Sequence, residues 1–123
     1  MIKMPMTASD WKIYQELHPL MSERYAAKII AQIQHILSEP GAGSLAQIAG
    51  ITKVLKDEKQ KLAHVTIHQS RANAMLHLIE LDADGLMLEE ELPKFSEETR
   101  GIIDRFRSNR AEANTASSTG DAS

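Results

Sequence analysis

The sequence predicts an all-α protein: a short N-terminal helix, a helical hairpin with one long arm, a C-terminal helical segment and a disordered tail. Three observations carry this. Apolar residues recur at three- and four-residue spacing through most of the 123 positions, the signature of one buried helical stripe. The runs are punctuated by Pro, Gly, Ser, Thr and Asp, residues that start or stop helices. Aromatics are few (Trp11, Tyr14, Tyr25, Phe95 and Phe106), so the core is built from aliphatic side chains that pack along helices. One domain is expected over 1–110, with 111–123 as the tail.

Thr7 and Ser9 are N-cap candidates, and Asp10 suits the positive end of a helix dipole, so a first helix is expected over Trp11 to Leu17. His18-Pro19 should interrupt it, with a second helix from Pro19 to about Ser38. That second stretch carries Ala26, Ile29, Ile30, Ile33, Ile36 and Leu37 as one broad stripe. Pro40-Gly41-Ala42-Gly43 supplies the hairpin turn.

From Ser44, a good N-cap, the chain reads as helix to about Leu81. Alternating steps of three and four from Ile48 reach Ile51, Leu55, Glu58, Leu62, Val65, Gln69, Ala72, Leu76 and Ile79, and eight of these ten positions are apolar. Such a heptad-like seam marks a helix lying along a partner. An arm of roughly 38 residues spans about 57 Å, twice the length of the helix before it. Part of the seam should therefore be covered by the C-terminal segment or by another chain.

Asp82-Ala83-Asp84-Gly85 reads as a turn, with a short helix over Leu86 to Leu92 stopped at Pro93. Ser96 should cap a last helix to about Arg110. Ala111 to Ser123 is rich in Ala, Ser, Thr, Asn and Gly and is expected to be disordered.

The net charge of -3 is unevenly spread: +3 over residues 1–79, -7 over 80–104 and +1 over the remainder. A basic body and an acidic segment can pair within one molecule or between copies. The absence of cysteine excludes disulfides, thiolate metal sites and thiol nucleophiles. The start, Met1 to Met6, is too short and broken for a secretory signal. With no apolar run near the roughly 20 residues needed to span a bilayer, a cytoplasmic location and no membrane partner are expected.

Three stretches invite chemistry. Glu80-Leu81-Asp82-Ala83-Asp84-Gly85-Leu86-Met87-Leu88-Glu89-Glu90-Glu91 resembles the calcium loop of the EF-hand family. That resemblance implies Asp82, Asp84 and Glu91 as oxygen ligands and Gly85 as the turn glycine. Glu80 at the first loop position and Leu88 at the ninth depart from the family pattern. Ser44-Leu45-Ala46-Gln47-Ile48-Ala49-Gly50-Ile51-Thr52 resembles the first helix and turn of repressor-type helix-turn-helix domains. This resemblance implies a turn at Gly50 and a recognition helix whose Lys53, Lys56, Lys59 and Lys61 meet phosphates. Lys56, however, falls where that family buries an aliphatic residue. Finally, His64 and His68 stand at i and i+4, the spacing for two metal ligands on one helical face.

No side chain shows a neighbourhood suited to nucleophilic catalysis. The expectation is a non-enzymatic helical interaction module, a small regulator, adaptor or assembly factor that binds a protein partner or itself. Its interface is expected at Ile48, Ile51, Leu55, Leu62, Val65, Leu76 and Ile79. A bacterial or phage-type nucleic-acid-binding protein using 44–61, and a calcium-binding protein with no other cofactor, are the alternatives.

Overall fold

The computed structural model describes the chain from Met6 to Asp121, with side chains as far as Asn114. It is helical throughout: α1 Ala8–Ser38, α2 Ser44–Thr66, α3 Arg71–Ala83 and α4 Glu97–Asp121, with a 3-10 turn at Leu92–Lys94. Among the described residues there is no strand. They gather into two compact units, one holding the chain up to Gln15 and from Gln69 onward, the other Glu16–His68.

Thr7 caps α1 by accepting the Asp10 amide at 3.2 Å. The expected break at His18-Pro19 does not occur, and α1 passes through Pro19. Proline there deprives the Gln15 carbonyl of its amide partner, a cost of about 3 kcal/mol. A continuous buried row on both sides of the proline outweighs it: Tyr14, Leu17, Met21, Tyr25 and Ile29.

The expected arm from Ser44 to Leu81 is two helices. The chain leaves α2 at Ile67, whose amide still reaches the Ala63 carbonyl, and Ile67 and Ser70 are extended. Three successive β-branched residues, Val65, Thr66 and Ile67, weaken helix propensity here. The Thr66 hydroxyl donates back to the Leu62 carbonyl at 2.8 Å. His18 contributes a further stop: its Nε2 donates to the Val65 carbonyl at 2.8 Å, the acceptor a continuing helix would offer to the amide of Gln69.

In the unit of Glu16–His68, α1 and α2 form an antiparallel hairpin. Ile36 lies against Gly50 near the turn, Tyr25 donates a hydrogen bond to Glu58 farther along, and His18 meets Val65 at the far end. Lys61 stands 5.8 Å over the Tyr25 ring. Gly50 sits inside α2, facing Ile36 of α1; the turn expected there on the helix-turn-helix resemblance is absent.

In the other unit, α3 ends in a glycine cap. Leu86 donates its amide to the Leu81 carbonyl at 3.1 Å and Gly85 to the Asp82 carbonyl at 2.9 Å, with Gly85 at φ 74°. Leu81 and Leu86 are both buried, the apolar contact that accompanies this cap. The short helix expected over Leu86 to Leu92 is replaced by turns and the 3-10 segment. Ser96 caps α4 as expected, its hydroxyl accepting the Thr99 amide at 3.3 Å. α4 extends beyond Arg110 to Asp121; of the tail expected over 111–123, the last two residues lie outside the described ones. Ala111 and Ala113 favour that extension.

Asp10 ties the start of α1 to the start of α4. Its Oδ1 accepts the Ser96 amide at 2.8 Å, and its Oδ2 accepts the Ser96 hydroxyl at 2.6 Å and the Thr99 hydroxyl at 2.7 Å. Burial pushes the Asp10 carboxyl up, but these donors outweigh it and hold it below the usual range. A carboxylate at the N-terminus of α4 also answers the positive end of that helix dipole. Tyr14 and the Nδ1 of His77 share a 2.5 Å hydrogen bond, and burial pushes the Tyr14 hydroxyl up to about 12.

Candidate interaction face of the helical hairpin

The candidate calcium ligands do not converge. Asp82 is buried on α3 and clamped by arginine: Arg107 Nε donates to Oδ2 at 3.0 Å, Arg107 Nη2 to Oδ1 at 2.7 Å and Arg110 Nη2 to Oδ2 at 3.0 Å. Donating these hydrogen bonds to Asp82 raises the pKa of Arg107 above its ordinary value. Glu91 turns to its own loop, with Oε1 accepting the Leu88 amide at 2.9 Å. Asp84 is the cap residue of α3. Gly85 serves the helix cap, and guanidinium groups hold the Asp82 carboxylate that the EF-hand resemblance assigns to an ion. Among the described residues no three His, Cys, Asp or Glu side chains group to hold a metal. His68 lies past the end of α2, so the i, i+4 pair with His64 does not form on one helix. His68 instead meets the His18 ring edge-on, 5.7 Å between centroids.

Lys53, Lys56, Lys59 and Lys61 all sit on α2, exposed. They belong to one uninterrupted helix and not to a recognition helix set off by a turn.

The seam residues are divided by the break at Ile67. Val65 on α2 and Ile79 on α3 are buried, Ile51 and Leu62 are half-buried, and Leu76 on α3 is exposed. Ile48 and Leu55 keep 62% and 51% of their surface exposed. On α1, Ile30 and Leu37 do likewise at 51% and 53%. These are large aliphatic side chains, so this exposure is the departure from ordinary packing that calls for explanation.

The four belong to one face. Successive helical residues turn by about 100°. On α1, the line of contact with α2 runs through Tyr25 and Ile36, with buried Ile29 on the same line; Ile30, Ile33 and Leu37 are displaced from it in the sense of increasing rotation. On α2 the line runs through Gly50, Val54 and Glu58, and Ile48, Ile51 and Leu55 are displaced in the same sense. In an antiparallel pair, equal senses of rotation point to the same side. Ile30, Ile33 and Leu37 therefore share one side of the hairpin with Ile48, Ile51 and Leu55. Leu45, though exposed, points to the back of α2 by the same reckoning.

Charge distribution reinforces the pattern. From Ile29 to Thr52 the only side chain of fixed charge is Glu39, so the end of the hairpin carries almost no fixed charge for a partner to desolvate. The α1 half of this face went unassigned in the sequence, where its stripe reads as ordinary core. The charge-free interval was the signal available for it. The side where Ala31, Gln32, His35 and Ile36 meet Val54 forms an open groove of about 430 Å³.

No protein-family model matches the chain, and comparison with curated proteins and with solved structures finds no match either. Among the described residues, no helix is long and apolar enough to cross a membrane.

Proposed function

We propose that the protein is a non-enzymatic helical interaction module that self-associates through the apolar face of the α1–α2 hairpin, in the manner of a small assembly or regulatory factor. The observation that supports this is the exposed aliphatic set Ile30, Leu37, Ile48 and Leu55 on one side of a two-helix hairpin. Two helices cannot bury a face that points away from their own contact line; a second layer of helix can. Contiguous exposed aliphatic side chains mark interaction surfaces, and a contact on the order of a few hundred Å² per copy holds a dimer only weakly, at micromolar concentration or above. The second copy is the occupant favoured by the hairpin itself, because an uncharged face of this kind is complementary to its own duplicate.

Sedimentation velocity from about 1 to 200 µM tests the reading. The expected outcome is a rise in sedimentation coefficient with concentration that Ile48→Glu with Leu55→Glu abolishes without loss of helical circular dichroism. A concentration-independent 13.7 kDa species overturns it.

A further inference from the structure

Resting on that reading, the geometry points to a specific pairing. We propose that two copies stack hairpin on hairpin with their turns at the same end, α1 of each against α2 of the other, making an antiparallel four-helix bundle.

The argument starts from level. The contacts of Tyr25 with Glu58 and of Ile36 with Gly50 set the antiparallel offset of α1 and α2. By that offset Ile30 lies level with Leu55, Ile33 with Ile51 and Leu37 with Ile48. A two-fold axis along the hairpin, in the plane of its apolar face, turns the second copy over and places its α2 on the first copy's α1. Each aliphatic side chain then meets an aliphatic side chain at its own height: Ile30 meets Leu55, Ile33 meets Ile51 and Leu37 meets Ile48, every pair occurring twice. Each helix in the square runs antiparallel to both neighbours, which sets opposite dipole ends side by side.

An apolar match alone would also permit the rival two-fold, across the hairpin, which lays α1 on α1 and α2 on α2. Charge decides between them. At the outer edge of the face, beyond the aliphatic rows, stand Glu23 on α1 and Lys59 on α2, both exposed and within one helical turn of the same level. With turns at the same end, Glu23 of each copy lies beside Lys59 of the other, giving two opposite-charge contacts at the rim. With turns at opposite ends, Lys59 falls level with the Pro40 to Gly43 turn of the other copy, which offers no acidic side chain except Glu39 beside it. Opposite-charge contacts at a rim fix register and orientation more than they add affinity, which is the role required here.

The chain has no native cysteine, so engineered single thiols report only contacts between copies. Mixing Ile30→Cys with Leu55→Cys under mild oxidation should give a disulfide-linked heterodimer, while Ile51→Cys alone should stay uncrosslinked. Charge exchange supplies a second readout in sedimentation. Glu23→Lys or Lys59→Glu alone should weaken the dimer about threefold or more, and the two together in one chain should restore it. Circular dichroism of each variant confirms that the fold persists. Self-crosslinking of Ile51→Cys with no Ile30 to Leu55 product overturns the pairing while leaving self-association intact, as does failure of the double charge exchange to restore the dimer. A wild-type chain that remains monomeric overturns both readings, and one that also floats with anionic phospholipid vesicles assigns the face to a lipid surface instead.

Discussion

The Nε2 of His18 stands 2.8 Å from the carbonyl oxygen of Val65, and that bond helps explain why the chain does not run as one helix from Ser44 to Ala83. A continuing α2 would give this carbonyl the amide of residue 69; a buried imidazole supplies the donor in its place. His18→Leu keeps the volume and removes the donor, leaving a buried carbonyl unsatisfied or forcing the helix to extend. Stability in a denaturant titration should fall by about 1 to 3 kcal/mol. His18→Gln, which retains an N–H donor, should recover part of the loss. Equal stability of wild type and His18→Leu would exclude any capping contribution.

Tyr14 gives stability an alkaline limit. Its folded pKa of about 12 lies above the ordinary 10, so the unfolded chain ionises first. The stabilisation is full below pH 10 and is lost as pH rises from about 10 to 12, with a slope of up to about 1.4 kcal/mol per pH unit. Tyr14→Phe removes that slope and deprives His77 Nδ1 of the bond at 2.5 Å, costing about 1 to 2 kcal/mol near neutral pH. Denaturation curves at pH 8 and pH 11 measure both effects.

The all-helical character, the hairpin turn at Pro40 to Gly43 and the cap at Ser96 were legible because each rests on short-range chemistry: a period of 3.6 residues, a positive-φ glycine, a hydroxyl beside an amide. What misled was local evidence overruled at a distance. Pro19 is a helix breaker until Tyr14, Leu17, Met21 and Tyr25 are buried on both sides of it. The seam from Ile48 to Ile79 has unbroken spacing, but spacing carries no trace of His18 arriving at Val65 from 47 positions away. Asp82 has the pattern of a calcium ligand, and only the return of α4 brings Arg107 and Arg110 to it. The face itself was half legible: its α2 rows were named, and its α1 rows passed for core because periodicity does not distinguish a face covered by the same chain from one left open.

Asp10 sets an acid limit. Its pKa is held below 3.8 by the donors of Ser96 and Thr99, so its contribution is complete above the unfolded value and drains away as pH falls through the folded one. Asp10→Asn should flatten the stability curve below about pH 4 and lower stability at pH 7 by about 1 to 3 kcal/mol, because an amide cannot accept all three bonds as well. Thermal melts at pH 3 and pH 7 give the comparison.

Calcium should leave the protein unchanged. Only a ligand that prefers the folded state raises the melting temperature, and Arg107 and Arg110 already occupy both oxygens of Asp82. Millimolar calcium is expected to shift the melt by less than the scatter of replicates, whereas Asp82→Ala should destabilise by about 1 to 3 kcal/mol by stripping a buried clamp. A calcium-dependent rise in melting temperature would overturn this assignment of Asp82.

Gly50 offers the sharpest test of the hairpin, because two conformations of residues 44–61 predict opposite signs for one substitution. Inside a continuous α2, glycine costs about 1 kcal/mol relative to alanine through backbone entropy. A Cβ at this position would lie 3.5 Å from Ile36 Cδ1 and Cγ2, an ordinary van der Waals distance, so the added methyl fits without displacing its neighbour. Gly50→Ala should therefore stabilise the protein by about 0.5 to 1 kcal/mol. In a helix-turn-helix, a turn glycine at positive φ would make the same change destabilising. Larger side chains separate fit from propensity: Gly50→Val would press extra methyl groups onto Ile36 and should lose what alanine gains. Because residue 50 lies on the contact line with α1 and not on the exposed face, alanine there should raise the melting temperature of the hairpin while leaving the concentration dependence of sedimentation as it is in wild type.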